Sequence, residues 1–184
     1  MTTPTTAELL KYADLEMAAE AFILNATTNV LRQSGQGLID ALMEGNKHAS
    51  KFTETQAKAF ADSTDGWTVL DQRANTATGF SGTLFKNNKT GELVMSMRST
   101  EFLDDAARDS EATNTMEIRP YGWAFGQIND MKKWYDELNT DPTKLQGKGF
   151  AVTGYSLGGH LATAFNRFCC DSGVWPEVVA RLDC

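Results

Sequence analysis

The chain opens on a helical rhythm. Thr5-Thr6-Ala7-Glu8 sets a threonine three positions ahead of a glutamate, the pattern of a capping box, and Leu9, Leu10, Ala13, Met17 and Ala21 follow at near-helical spacing. This predicts a helix over about residues 6 to 24. A weaker apolar periodicity, Val30, Leu31, Leu38, Ile39 and Leu42, continues past Gly35 and Gly37, and Thr53-x-x-Gln56 offers a second capping box before Ala57, Phe60 and Ala61. The first third therefore reads as mostly helical. At Trp67 the rhythm changes. Trp67-Thr68-Val69-Leu70 and Gly79-Phe80-Ser81-Gly82-Thr83-Leu84-Phe85 are short, β-branched and aromatic, and they read as strands. Asn87-Asn88-Lys89-Thr90-Gly91 supplies turn chemistry ahead of Glu92 to Arg98, a strand apolar on both faces through its middle. The expectation is a hairpin over 79–98 feeding a central strand.

Residues 99 to 119 hold six acidic side chains against two basic ones and show no sustained period, so they read as a long surface connection. Trp123, Phe125, Ile128, Met131, Trp134, Tyr135 and Leu138 then repeat every three or four positions, an amphipathic helix to about Asn139 whose aromatic stripe reads as core packing. After Asp141-Pro142 comes a short buried strand, Lys148 to Gly154, and a helix begins at Tyr155-Ser156-Leu157. Helix, strand, helix, strand, helix is an α/β order that implies a parallel sheet.

The chemistry lies at that last junction. Gly154-Tyr155-Ser156-Leu157-Gly158 matches G-x-S-x-G and sits between a buried strand and a helix, where such a motif has to sit. The turn is so sharp that its central residue takes strained backbone angles, and a Cβ at either flanking glycine would collide with the elements packed beside it. It lifts the Ser156 hydroxyl above the carboxyl edge of the sheet. The following helix aims its N-terminal amides at the same point, so that the Leu157 N–H can bind a developing oxyanion.

Residues 150–162, Phe-Ala-Val-Thr-Gly-Tyr-Ser-Leu-Gly-Gly-His-Leu-Ala, resemble the nucleophile elbow of the class 3 lipases, α/β-hydrolases that include triacylglycerol lipases and phospholipases A1. Leu93 to Glu101 resembles that family's oxyanion strand and loop. The family usually writes the loop Arg-Gly-Ser or Arg-Gly-Thr, so Ser99 takes the place of its glycine, and Thr100 falls on the position that completes the oxyanion hole. Asp109 matches an acidic residue that commonly follows. Tyr155 stands where the family often has histidine, a change that mainly affects packing beside the serine. The resemblance covers roughly residues 79 to 168 and implies the amino-terminal portion of an α/β-hydrolase fold: helical lead-in, β-hairpin, central parallel strands, nucleophile elbow and helix, as a single, incomplete domain over 1–184.

A serine hydroxyl needs a base to take its proton and an acid to orient that base, in the chain order Ser, Asp or Glu, His for this fold class. The sequence has two histidines, His48 and His160. His160 is one turn along the helix from Ser156 and faces away from it, a packing residue rather than a base. His48 lies in a polar stretch and reads as exposed. Asp171, Glu177 and Asp183 have no histidine beyond them, so the catalytic acid and histidine are expected to be missing from this chain. Two readings follow. One is a serine hydrolase of carboxylic, lipid-type esters working through an acyl-enzyme, with Ser156 as nucleophile and Leu157 and Thr100 as oxyanion donors. The other is a catalytically incompetent, truncated hydrolase that binds a lipid or a partner. Truncation would also leave the strand at 149–153 with an open edge, inviting self-association.

Composition narrows the partners. The 184 residues carry 17 Lys+Arg against 24 Asp+Glu, a net charge of −7, with no basic cluster, which argues against nucleic acid or an anionic membrane surface as the main partner. It is the resemblance to the lipases that implies a lipid or small ester as ligand and allows contact with a lipid interface. No apolar run reaches the ~18 residues of a membrane span and the first residues lack a Sec signal, so a cytoplasmic chain or one exported by another route fits equally. Cys169, Cys170 and Cys184 suit neither a disulfide framework nor a C-x-x-C metal pattern; Cys169 and Cys170 read as a buried thiol pair, and no metal or cofactor is expected.

Overall fold

The structure, a computed structural model, describes residues 5–25, 27–46, 50–99 and 124–171, the last four as backbone, together with the backbone of 179–180. His48, Thr100, Asp109, Trp123, Glu177, Asp183 and Cys184 lie outside the described residues, as do the side chains of Cys169, Cys170 and Asp171.

Helix α1 (Thr6–Ala19) begins on the expected capping box, in which Thr5 Oγ1 accepts from the Glu8 N–H and the Glu8 carboxylate accepts from the Thr5 N–H at 2.9 Å. It ends five residues sooner than the periodicity predicts. Beyond Glu20 the backbone groups find partners outside a helix: the Arg32 guanidinium donates to the Phe22 carbonyl, the Arg32 N–H to Ile23, and the Leu24 N–H to Gln72 Oε1 at 2.7 Å. Leu24–Asn25 (β1) and Val30–Leu31 (β2) then form a two-residue antiparallel pair where the sequence reads as helix. Helix α2 (Gly35–Glu44) follows, and α3 (Glu54–Phe60) starts on the second expected capping box, Thr53 with Gln56.

The main sheet has five strands in the order β3 (Trp67–Arg73), β4 (Gly82–Asn87), β5 (Leu93–Met97), β6 (Ala151–Gly154) and β7 (Val179–Ala180). The sheet is mixed, not parallel as the element order implies: β3–β4–β5 is an antiparallel meander and only β5–β6–β7 is parallel. The hairpin over β4 and β5 turns on Asn87, whose Oδ1 accepts from the N–H groups of Lys89 and Thr90. Strand β6 does not have the expected open edge: β7 pairs beside it, with Ala151 opposite Val179 and Val152 opposite Ala180, so the two residues of β7 supply the outer pairing.

Two apolar layers enclose the sheet. On one face α1, α2 and α3 pack against Val69, Phe85, Val94 and Ala151. On the other, α4 (Phe125–Asn139) and α5 (Leu157–Asp171) cover Leu84, Met95, Met97 and Val152. Of the stripe on α4, Ile128, Met131, Trp134 and Leu138 are core as expected, Trp134 being 1% exposed, but Phe125 is half-exposed. The buried side of α1 departs from the stripe read in the sequence. Leu9, Leu10 and Ala13 are exposed, Leu10 at 62%, and the helix instead buries Tyr12, Leu15, Glu16, Ala18 and Ala19. Among the described residues no helix is long and apolar enough to cross a membrane.

Candidate active site

Ser156 occupies the single turn between β6 and α5, at the carboxyl edge of the parallel strands, and it is exposed. Its φ is +54°, in the left-handed region that a residue with a side chain occupies only under constraint. The constraint is visible in the glycines. A Cβ on Gly154 would lie 2.5 Å from the Gly158 carbonyl, and one on Gly158 only 2.2 Å from the Met97 carbonyl oxygen. Strand β6, helix α5 and the end of β5 thus approach backbone to backbone, and the residue between them has to take the strain. The Ser156 carbonyl accepts from the His160 N–H at 3.1 Å, which makes Ser156 the N-cap of α5. The N–H of Leu157, at the first helical position, has no carbonyl one turn back within the helix.

The β5 side of the site is held by charge. The Arg98 guanidinium donates to Asn75 Oδ1 and lies over the Phe22 ring at 5.6 Å. The next residue, Ser99, donates twice to a single carboxylate oxygen, Glu20 Oε1, through its N–H at 2.9 Å and its hydroxyl at 2.8 Å. Burial pushes the phenol of Tyr155, the residue before Ser156, above its ordinary value, the nearby Ser99 side chain opposes the shift, and the charges of Glu20 and Glu16 reinforce it, so Tyr155 stays neutral across the physiological range. Glu16, one turn before Glu20 on α1, accepts from the Thr153 hydroxyl in the strand that leads to Ser156.

These two glutamates are the site residues that sequence reasoning misses. Both are buried, at 7% for Glu16 and 2% for Glu20. Glu16 meets, at Thr153, a cross-strand row of polar side chains, Gln72, Thr83, Ser96 and Thr153, set in register one position below the Ser156 turn. The signal was present as a pair of carboxylates four residues apart on the same side of the helix as Tyr12 and Ala19.

Among the described residues the imidazole is that of His160, and it is engaged elsewhere. Its Nε2 accepts from the Ala124 N–H at 3.3 Å, tying the start of α4 to the first turn of α5. Burial pulls this imidazole below its ordinary value, and only the neutral ring can accept that hydrogen bond. The unfolded chain therefore takes up this proton at higher pH than the folded one, and stability falls as pH drops below the ordinary histidine value of ~6.5. Between pH 7 and pH 5 the melting temperature of wild type is expected to fall more steeply than that of His160→Gln, whose amide oxygen can accept from the same N–H. Carboxylates contribute alike to both proteins, so the difference in slope by calorimetry isolates the imidazole, and equal slopes would contradict this account.

Among the described residues no three of His, Cys, Asp and Glu gather into a cluster able to hold a metal ion. A surface pocket of about 340 Å³ lined by Leu10, Phe52, Phe60 and Trp67 lies at the far end of β3, remote from Ser156.

No protein-family model and no curated protein sequence matches this chain. Solved structures do. A mutant form of MDLA from Penicillium cyclopium superposes with a TM-score of 0.51 at 14% identity, over 98% of this chain and 63% of that one. The Rhizomucor miehei triacylglyceride lipase is similar at a TM-score of 0.48 and 12% identity, over 97% of this chain and 62% of that one. The chain thus spans somewhat under two thirds of the length of these structures. At such identity the likeness is one of fold, and the mixed sheet with helices on both faces is that of an α/β-hydrolase-like domain.

Proposed function

We propose that this chain carries the nucleophile half of a serine hydrolase acting on carboxylic esters of lipid type. The observation that carries the reading is Ser156 at φ +54° on the tip of a glycine-flanked turn, ahead of a helix N-terminus. In the proposed reaction the Ser156 oxygen attacks the ester carbonyl, and its proton passes to solvent water, none of the described side chains being assigned as the base. The carbonyl oxygen becomes an oxyanion, held by the Leu157 N–H with Thr100 as the second donor. Collapse of the tetrahedral adduct breaks the bond to the alcohol, leaves an acyl-Ser156, and water then releases the carboxylate. His160 is not assigned as the base, because its Nε2 is taken by Ala124 and it lies one turn along α5. Exposed aromatic rings fit an apolar substrate: Tyr155 beside Ser156, and Phe125 next to the Ala124 that His160 holds.

The same engagement of His160 favours a second reading, in which the domain binds a lipid or a partner without hydrolysing it. A fluorophosphonate probe separates the two. Wild type is expected to gain one probe mass on the peptide containing Ser156, and Ser156→Ala to gain none. A wild-type protein that stays unlabelled, or a Ser156→Ala variant labelled as fully as wild type, contradicts the hydrolase reading.

A further inference from the structure

Ser99 and Tyr155 come from different parts of the chain, yet each is the immediate neighbour of a position that matters for the proposed chemistry. Ser99 ends the described part of the segment leaving β5, and Tyr155 precedes Ser156. Ser99 is bound through both its N–H and its hydroxyl to Glu20, and the backbone just before it, at Met97 and Arg98, lies against Gly158 in the turn that holds Tyr155 and Ser156. Glu20 is no surface acid that happens to reach in. It is the C-cap of α1, 2% exposed, and its other oxygen has the Asn46 amide 3.5 Å away. A carboxylate buried this deeply is costly unless hydrogen-bonded, and the two Ser99 donors offset that cost. Ser99 is also absent from the residues with positive φ, so its backbone needs no glycine. A side chain is tolerated there, and its hydroxyl becomes a second point of attachment.

We infer that Glu20 is a positioning residue for the Ser156 site: by clamping Ser99, it fixes the end of the β5 segment against the turn that presents the serine. The inference rests on the hydrolase reading but assigns a role to an α1 residue that touches neither the substrate nor the reacting atoms. The geometry makes a specific demand. One acceptor oxygen serves both Ser99 donors, so a glutamine, which keeps a carbonyl oxygen at the same reach, preserves the clamp, and an alanine abolishes it.

The test follows fluorophosphonate inactivation of Ser156 as a function of probe concentration in wild type, Glu20→Gln, Glu20→Ala and Ser99→Ala, each checked for a cooperative melt. A misplacement of about 1 Å can cost ~10²-fold in rate, so Glu20→Ala is expected to lose roughly 10- to 100-fold in the limiting inactivation rate, with the half-saturating probe concentration little changed. Glu20→Gln is expected to recover most of that loss. Ser99→Ala, which deletes the hydroxyl but keeps the N–H bond to Glu20, is expected to fall between wild type and Glu20→Ala. A merely structural role would lower the melting temperature without this split between rate and half-saturation. If Glu20→Ala does not fold, the comparison of Ser99→Ala with Glu20→Gln carries the test, and wild-type limiting rates in both overturn the inference. A folded Glu20→Ala that reacts like wild type overturns it alone. Failure of wild type to label overturns the hydrolase reading, and this inference with it.

Discussion

Gly158→Ala is expected to lower the melting temperature by about 6–12 °C and to abolish labelling of Ser156, taking a clash of ~3 kcal/mol at ~2–4 °C per kcal/mol for a chain of this size. The added methyl would sit 2.2 Å from the Met97 carbonyl oxygen, 3.0 Å from the Met97 carbonyl carbon and 3.2 Å from that of Arg98. All three atoms are backbone, so no side-chain rotation relieves the contact. Relief would require β5 to separate from the first turn of α5, and that separation would carry Ser99 away from the turn that presents Ser156. Gly147→Ala is the control. Gly147 has φ +69° with no heavy atom within 4 Å of the added methyl, so the left-handed backbone alone should cost ~1–2 kcal/mol, and labelling should persist. Thermal melts with the probe assay decide the matter. A Gly158→Ala protein that melts within a degree or two of wild type and still labels would show that the backbone approach at the turn is not tight.

The turn was legible because its requirement is local. Five residues state the need for two bare α-carbons around a strained centre, and the flanking apolar strand and helix state where the strain is stored. The capping boxes at Thr5 and Thr53 were legible for the same reason, each being a contact between residues three apart. The β4–β5 hairpin belongs with them, since Asn87 and the residues it caps lie within one turn.

What the sequence hid is long-range. The apolar spacing of Leu9, Leu10, Ala13 and Met17 pointed to one side of α1, but the side that is buried carries Glu16 and Glu20, and their burial depends on Thr153 and Ser99, 137 and 79 residues away. A buried carboxylate with hydrogen-bond donors breaks the hydrophobic pattern where the fold places a functional group, which is where pattern reading is expected to fail. The early end of α1 has the same origin, because Arg32 and Gln72 capture the backbone of Phe22 to Leu24 from outside. Strand β7 also escaped notice, since two residues carry too little pattern to be seen until β6 is there to pair with them. The Ser99 substitution was visible as a departure from a glycine pattern. Its meaning was not, because the partner that makes a serine useful there lies on α1.

Trp134→Ala is expected to cost ~3–5 kcal/mol, the usual range for deleting a large buried ring, with a fall in melting temperature of roughly 6–20 °C. Trp134 is 1% exposed, lies 5.8 Å from the Phe80 ring centroid, and donates its Nε1–H to Asp71 Oδ1 at 2.8 Å. Asp71 also accepts from Lys144 Nζ at 2.7 Å, so one carboxylate ties α4 and the loop before β6 to the bulged middle of β3. The six-membered edge of the indole reaches the start of β4: a methyl on Gly82 would come within 2.6 Å of its Cζ3. That closeness predicts a coupling. Gly82→Ala alone should cost ~1–3 kcal/mol by forcing the indole aside. Trp134→Phe alone should be destabilising through the lost hydrogen bond and the void beside Gly82. In the double variant the smaller ring leaves room for the methyl, and the methyl fills part of the void, so the combined loss should be less than the sum of the single losses. Denaturant melts of the four proteins measure that coupling. Strict additivity would mean that Trp134 and Gly82 do not share a contact surface, and that the position of α4 on the sheet is set by the Asp71 hydrogen bond rather than by the packing of the ring.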